Sequence, residues 1–420
     1  MNMLQRLTAL EEQGKKIQIG VVGTGDFGRS MICQLHEMKG VAVPVLVDKN
    51  TERAVESLEL CGWKRDQVTV AKRQAEVTTG WNQGRPVVIE DYTWLFDAPV
   101  DIIVDCTGDP NAGATIAYYG LLHGKHIGSV NKEADAIVGP LLGRLAKRMG
   151  LVYTMVDGDH PCAVKALSDR ATTLGLTVLA AGKGTKYNRD QPKAYSNSQI
   201  EMVSTANMTG LVPDVPGMHF PRATLAELPD LFCLEKDGGL LKQAGVVEAV
   251  NCLNEAETEY IDPVLVNSVF VVVTTKYAES LRIMKGKGGV MSKNGKQALL
   301  YVPFHLCGIE APYSVVQACL DGSADGEMMD KPVADVVAVA NRDLQPGEIL
   351  DGHGHGKYMV KGIIERAEVA NANHHLPLGL ACQVEVKEFI PAGTIITYEM
   401  LKAKGTSLLW KLRGLLEEGL

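Results

Sequence analysis

Between Lys16 and about Gly150, short runs of consecutive apolar residues alternate with stretches long enough for amphipathic helices. Runs of this kind are what strands buried on both faces of a parallel sheet require, with helices as crossovers. The pattern predicts strands at Ile17 to Val22, Ala42 to Val47, Asp101 to Cys106 and His126 to Ser129. Leu4, Leu7 and Leu10 recur on one helical face, which predicts a docking helix ahead of the first strand. The polar, basic stretch from Trp63 to Gly84 reads as a surface excursion.

The character changes at Leu151. LVYTMVDGDHPCAVKALSDRA reads as a strand, an acidic turn and a helix whose first turn holds Pro161. GLTVLAAGKGTKYNRD, ending at Asp190, reads as a strand opening into a loop with Lys183 and Lys186. IEMVSTANMTGL is a helix presenting Glu201, Ser204, Thr205 and Asn207 on one side. A basic, glycine-rich hairpin (Lys285, Lys287, Lys293, Lys296) precedes a buried-looking strand, YVPFHLCGIEAP, that carries His305 and Glu310. After about Pro332, ANRDLQPGEIL and VKEFIPAGTII are near-copies of one plan, so a small β-rich module with internal two-fold character is expected. The tail SLLWKLRGLLEEG is a helix suited to docking or oligomer packing. The chain is therefore α/β in class. Residues 1–150 form a doubly wound Rossmann domain, 151–331 a central α+β domain, and 332–420 a β-rich module with its tail.

Composition narrows the partners. With 420 residues the chain exceeds one ordinary core. A net charge of −8 with no basic tract argues against nucleic acid, and no apolar run is long enough to span a bilayer. The nine cysteines are scattered without a CxxC, as in a reducing cytoplasm, and Cys162 and Cys307 read as buried, inert thiols.

The chemistry starts at the first strand. Gly23-x-Gly25-x-x-Gly28 follows it directly, and Asp48 ends the second strand twenty residues after Gly28. This is the dinucleotide fingerprint in its required context. Thr24, Asp26 and Phe27 belong to the same loop. Asp48 favours NAD, whereas Lys49, Asn50, Thr51 and Arg53 suit the extra phosphate of NADP. Cys106, Thr107 and Gly108 form the small turn expected beside the nicotinamide, and SVNKEAD adds Asn131 and Lys132 at the next strand tip. The Lys132 ammonium suits polarising an oxygen that gains charge. Asp157, Asp159 and His160 meet at one strand-to-helix junction, as proton carriers or as ligands of a divalent cation, or simply as a cap and a solvated ring. Lys183 and Lys186 suit a phosphate, a carboxylate or general acid work. His353 and His355, followed by His374 and His375, lack a clear third metal ligand.

Taken in order, GVVGTGDFG, VDCTGDP, VNKEAD, GDHP, AAGKGTKY, ANMTGL and FHLCGIEAP, followed by the PGEIL and PAGTIIT module, resemble the homoserine-dehydrogenase-like oxidoreductases with a C-terminal SAF (antifreeze-protein-like) domain. Within that group the chain is similar to the 1-deoxy-D-xylulose 5-phosphate reductoisomerase-like proteins of isoprenoid-precursor synthesis. The resemblance implies NADPH as reductant, a small phosphorylated substrate, residues 151–331 as the catalytic and dimerisation domain, and a cytoplasmic homodimer or higher oligomer. On matching positions it gives Gly23, Gly25 and Gly28 the cofactor, Lys132 the strand-tip role, and Lys183 and Lys186 the substrate. Reductoisomerase chemistry further implies Mg or Mn near Asp157, Asp159 or Glu201. The Gly-Lys of AAGKGTKYNRD and Asp190 lack the spacing of true homoserine dehydrogenases. A homoserine, sugar-acid or polyol dehydrogenase is the alternative enzyme, and a non-catalytic NAD(P) sensor the alternative outside enzymes.

Overall fold

The structure, a computed structural model, describes residues 1–188, 192–352 and 358–419. Asp190, His353 and His355 lie outside them. The chain clusters into two compact units: Met1–Asp159 with Leu306–Glu327, and His160–His305 with Met328–Leu420.

The first unit alternates helix and strand as the apolar runs require. Its elements are α1 (Met3–Glu12), β1 (Ile17–Val22), α2 (Asp26–Glu37), β2 (Val41–Val47), α3 (Thr51–Leu60), β3 (Thr69–Val70), α4 (Gln74–Asn82), β4 (Val87–Ile89), β5 (Ile102–Asp105), α5 (Pro110–Leu122), β6 (His126–Ser129), α6 (Lys132–Arg148) and β7 (Tyr153–Met155). The seven strands make a parallel sheet in the order β3-β4-β2-β1-β5-β6-β7. The order reverses between β1 and β5, so a crevice at their carboxyl ends is the topological switch point where such sheets bind ligands. The stretch 63–84 is more than the surface excursion expected: β3 and α4 add an edge strand and its crossover, and Val77 is buried. Leu7 of α1 is buried as expected, while Leu4 is exposed.

The second unit is built on a six-stranded sheet. Its elements are α7 (His160–Thr173), β8 (Thr177–Thr185), α8 (Pro192–Thr209), β9 (Val212–Pro213), β10 (Val246–Asn251), β11 (Val269–Thr274), β12 (Val290–Met291) and β13 (Gln297–Val302). The order is β12-β13-β11-β8-β10-β9, parallel from β8 to β9 and antiparallel on the other side. One core of the unit gathers around the stacked rings of Phe232 and Phe270, 5.6 Å apart.

The β-rich module, with β14 (Ala334–Ala340), β15 (Ile349–Asp351), β16 (Val360–Arg366) and β17 (Cys382–Glu385), clusters with the second unit. Its two sequence copies clasp each other reciprocally. Gly347 N–H donates to Val386 O at 2.9 Å and Gly393 N–H to Ala340 O at 2.8 Å, while Leu344 and Ile390, equivalent in the copies, exchange bonds of 2.9 and 3.0 Å. The tail helix Leu408–Glu417 docks within its own unit through Leu409, Leu412 and Leu416, and its buried Arg413 pairs with Asp335 of β14. Among the described residues, no helix is long and apolar enough to cross a membrane.

Two local expectations fail. The lysine loop after Ala181 is the second half of β8, which runs on to Thr185 and buries Lys183. The stretch YVPFHLCGIEAP is a strand only as far as Val302. Phe304, Leu306 and Ile309 are exposed, as is Cys307, which is not the buried thiol expected.

Candidate functional site

Gly23 leaves β1 with φ +93°, a conformation that favours glycine. A Cβ on Gly28 would stand 2.1 Å from the Gly23 carbonyl oxygen, so only glycine lets α2 start this close to the strand. A Cβ on Gly25 would meet nothing within 4 Å. That open space lies at the amino end of α2, where unpaired N–H groups and the helix dipole favour an anion. A cavity of about 1000 Å³ opens here, lined by Gly23 and Gly25 from the β1 turn, Asp48, Lys49, Thr51 and Arg53 after β2, and Cys106 and Thr107 after β5. It is the switch-point crevice the topology calls for.

Asp48 is held by the protein itself. Its buried carboxylate accepts the Thr24 N–H and hydroxyl at 2.8 and 2.7 Å, the Asn50 N–H at 2.8 Å and the Arg53 guanidinium at 2.8 Å. It therefore latches the glycine loop to α3. Burial raises its pKa, but the bonds from Thr24 and Arg53 outweigh burial, and the group lies below its usual range. Thr24 and Gly28 are buried supports of the loop, Phe27 is half-buried, and Asp26 is exposed at the first turn of α2.

Asn131 is also a fastener. Its amide donates to Asp105 and to the Asp109 carbonyl, both at 2.8 Å, and its carbonyl caps α6 through Ala134 N–H. Gly108, at φ +67°, shapes the β5 turn. Burial pushes the Cys106 thiol up, against any role as a nucleophile. Sequence reasoning missed Lys72, Tyr92 and Trp94, which line the same cavity. No motif marks them, because they reach it from the edge segments after β3 and β4.

Lys132 begins α6, and its ammonium lies 3.6 Å from Asp159. Behind it the buried Asp135 takes hydrogen bonds from Tyr153 and, at 2.8 Å, from Ser129. Burial pushes Asp135 up to about 7. Its carboxyl is thus favoured in the protonated form by folding, and the stability it contributes falls as pH rises from about 4 to about 7. Asp135→Asn is expected to flatten that dependence by up to about 1.4 kcal/mol per pH unit, as read by urea unfolding across the window. Asp157 is pushed up to about 6 by burial, then by Asp325 and Glu310.

The second unit holds a buried charged centre. Lys183 on β8 is paired with Glu201 on α8, and its ammonium lies 3.2 Å from Nδ1 of His160, the first residue of α7. The three are 5, 4 and 8% exposed, so this is a desolvated ion pair with a titratable ring against it. The His305 ring lies against that of His160, with centroids 3.7 Å apart and the planes tilted by 39°. Glu201, expected as a cation ligand, is instead closed by Lys183. Lys186 is exposed beyond the end of β8, so the two lysines occupy different surroundings. Asn207 is engaged by the backbone at the start of β14. It accepts the Val333 and Ala334 N–H groups at 2.8 and 3.1 Å and donates to Ala334 O, pinning β14 to α8. Thr205 bonds back to the Glu201 carbonyl, whereas the buried Ser204 hydroxyl has no hydrogen-bond partner among the described residues. His374 and His375 each pair with a glutamate, Glu399 and Glu365, at 2.6 Å.

Residues 193–311 match the family model described as Oxidoreductase DRL, catalytic domain. No curated protein matches. Among solved structures, the chain is similar to KijD10, a 3-ketoreductase from Actinomadura kijaniata in complex with TDP-benzene and NADP (open conformation). Identity is 14%, the TM-score 0.41, and 76% of this chain and 96% of that one are covered. It is also similar to myo-inositol dehydrogenase from Lactobacillus casei in complex with NAD(H) and myo-inositol, at 18% identity and TM-score 0.38, over 61% of this chain and 71% of that one. Likeness at this level carries no argument about what the chain does.

Proposed function

We propose that the chain is an NAD(P)H-dependent oxidoreductase that reduces the carbonyl of a small, hydroxylated, phosphorylated substrate, with 1-deoxy-D-xylulose 5-phosphate as its reductoisomerase-like form. The observation that carries this reading is the buried Lys183, Glu201 and His160 centre. A desolvated ammonium held by a carboxylate and a ring is costly to bury and poorly explained by stability alone. The switch-point cavity and the oxidoreductase match of residues 193–311 support the same class.

The cofactor, when bound, supplies the hydride. The Gly25 turn and the first N–H groups of α2 receive the pyrophosphate. Lys183 donates a proton to the oxygen that gains charge: its N–H bond breaks as the alcohol O–H forms, and Glu201 holds the lysine in place. Lys132 and Lys186 remain candidates for orienting the substrate. Since Asp48 is already neutralised by Arg53, and Lys49 and Lys72 line the same cavity, the proposal favours NADPH over NADH. Arg53→Ala is expected to weaken NADPH by about tenfold, the worth of one charge-assisted bond, with NADH less affected. Fluorescence titration of both cofactors checks this, and equal weakening would count against the preference. The implied cation gains no support from Glu201, which Lys183 occupies. Incubating the protein with NADPH and 1-deoxy-D-xylulose 5-phosphate tests the substrate: NADPH consumption supports it, and silence with this sugar but reduction of NADP+ by homoserine replaces it.

A further inference from the structure

We infer that the β-rich module is a brace for the helix that carries Glu201, with Gln199 as the positioning residue through which it acts on the Lys183 pair, a role that rests on the reductase reading above. β16 pairs with β14 along one edge. The other edge of such a strand presents backbone groups that need partners, and here α8 covers it with side chains. Gly362 and Ile364, two residues apart and so directed to the same edge, donate their N–H groups to Ser196 Oγ at 3.0 Å and Gln199 Oε1 at 2.9 Å. The Gln199 amide donates in turn to the Gly217 carbonyl at 3.2 Å, and Gly217 N–H donates to Ile364 O at 2.8 Å. Three bonds thus close a ring around a fully buried side chain. Asn207 accepts from the start of β14 in the same way.

Ser196, Gln199 and Asn207 share one side of α8. At about 3.6 residues per turn, Ser198 and Glu201 fall on the opposite side. There Glu201 is paired with Lys183, and the Ser198 hydroxyl donates to Thr185 Oγ1 at 3.2 Å, so the same helix is fastened to β8. α8 is therefore a wedge, held by the module on one side and by the Lys183 strand on the other. Apolar contacts alone would let such a helix slide or turn slightly. Directional bonds between buried polar groups fix its register, and each is costly to leave unmade. Glu201 follows Gln199 by two residues, so a shift at Gln199 is carried to the carboxylate that holds Lys183.

Two measurements on the full chain test this, using Gln199→Met, which stays close to the native size and removes both bonds of the side chain. Phe232→Leu, in the core around Phe270, controls for lost stability. The first measurement is competitive labelling with trace acetic anhydride, read by mass spectrometry as the rate at the buried Lys183 relative to the exposed Lys186. Gln199→Met should raise that ratio by at least about fivefold, because a loosened α8 opens the pair to the reagent, while Phe232→Leu stays near wild type. A ratio unchanged in Gln199→Met, or raised equally in both variants, overturns the brace whether or not any substrate turns over. The second is kinetic, with NADPH and 1-deoxy-D-xylulose 5-phosphate. Gln199→Met should lower kcat by at least about tenfold with KM within about threefold, since the proton donor is displaced and the substrate contacts are kept. A raised labelling ratio with wild-type kcat overturns the positioning role. Wild-type protein that leaves this sugar unreduced, with the ratio raised in Gln199→Met alone, leaves the brace standing and removes the substrate reading instead.

Discussion

Replacing Lys183 by Met is expected to lower carbonyl reduction by about 10²–10⁴-fold, the range of a lost acid–base group. Removing the lysine also leaves the Glu201 carboxylate, 4% exposed, without its cation. Breaking such a pair costs about 3–5 kcal/mol of stability, which urea unfolding reads directly. Lost stability would by itself lower activity, so a second variant is needed. Lys183→Met with Glu201→Leu removes both charges and should recover most of the stability while staying inactive. A double variant that turns over at the wild-type rate contradicts the assignment.

Gly25→Val is expected to separate folding from cofactor binding. A Cβ at Gly25 meets nothing within 4 Å, and the backbone there is extended, with φ −68°. The free protein should therefore unfold at nearly the wild-type temperature. The added side chain fills the approach to the amino end of α2, so NADPH affinity should fall by at least about a hundredfold, because the pyrophosphate loses its close contacts with the loop. Gly28→Ala is the contrast. Its Cβ would meet the Gly23 carbonyl oxygen at 2.1 Å, so stability falls together with binding. A Gly25→Val protein that keeps its NADPH affinity would remove the nucleotide assignment.

The first unit was legible because its strands are nearly uniform apolar runs, and the glycine spacing is a covalent signature of one backbone path. His126 to Ser129 and Ile17 to Val22 coincide with the observed strands. The internal repeat was legible for a similar reason, since Leu344 and Ile390 occupy equivalent places and then pair with each other. What failed were residues whose role depends on a distant partner. Asp48 reads as a mark of NAD, and only the fold shows that Thr24 and Arg53 use its oxygens. Lys183 reads as a loop residue because Gly182 and Gly184 flank it. In space those glycines sit tightly against the Glu248 and Leu265 carbonyl oxygens, at 1.8 Å for an added Cβ, so they serve close packing within a strand. Asn207 shares the polar look of Glu201, but only the fold shows that it faces the Val333 and Ala334 backbone. His305 was singled out for expected burial. It is half-buried and lies against the buried His160.

The central claim is that this chain moves a hydride from a nicotinamide cofactor to a carbonyl carbon, with Lys183 supplying the proton. Incubation with NADPH deuterated at the transferable position and 1-deoxy-D-xylulose 5-phosphate, followed by mass spectrometry of the product, tests it most directly. The account predicts one deuterium on carbon in the wild-type product and a loss of labelled product in Lys183→Met. Labelled product formed equally well by Lys183→Met, or no deuterium transferred by the wild-type protein to this sugar or to any other carbonyl substrate offered, would contradict it.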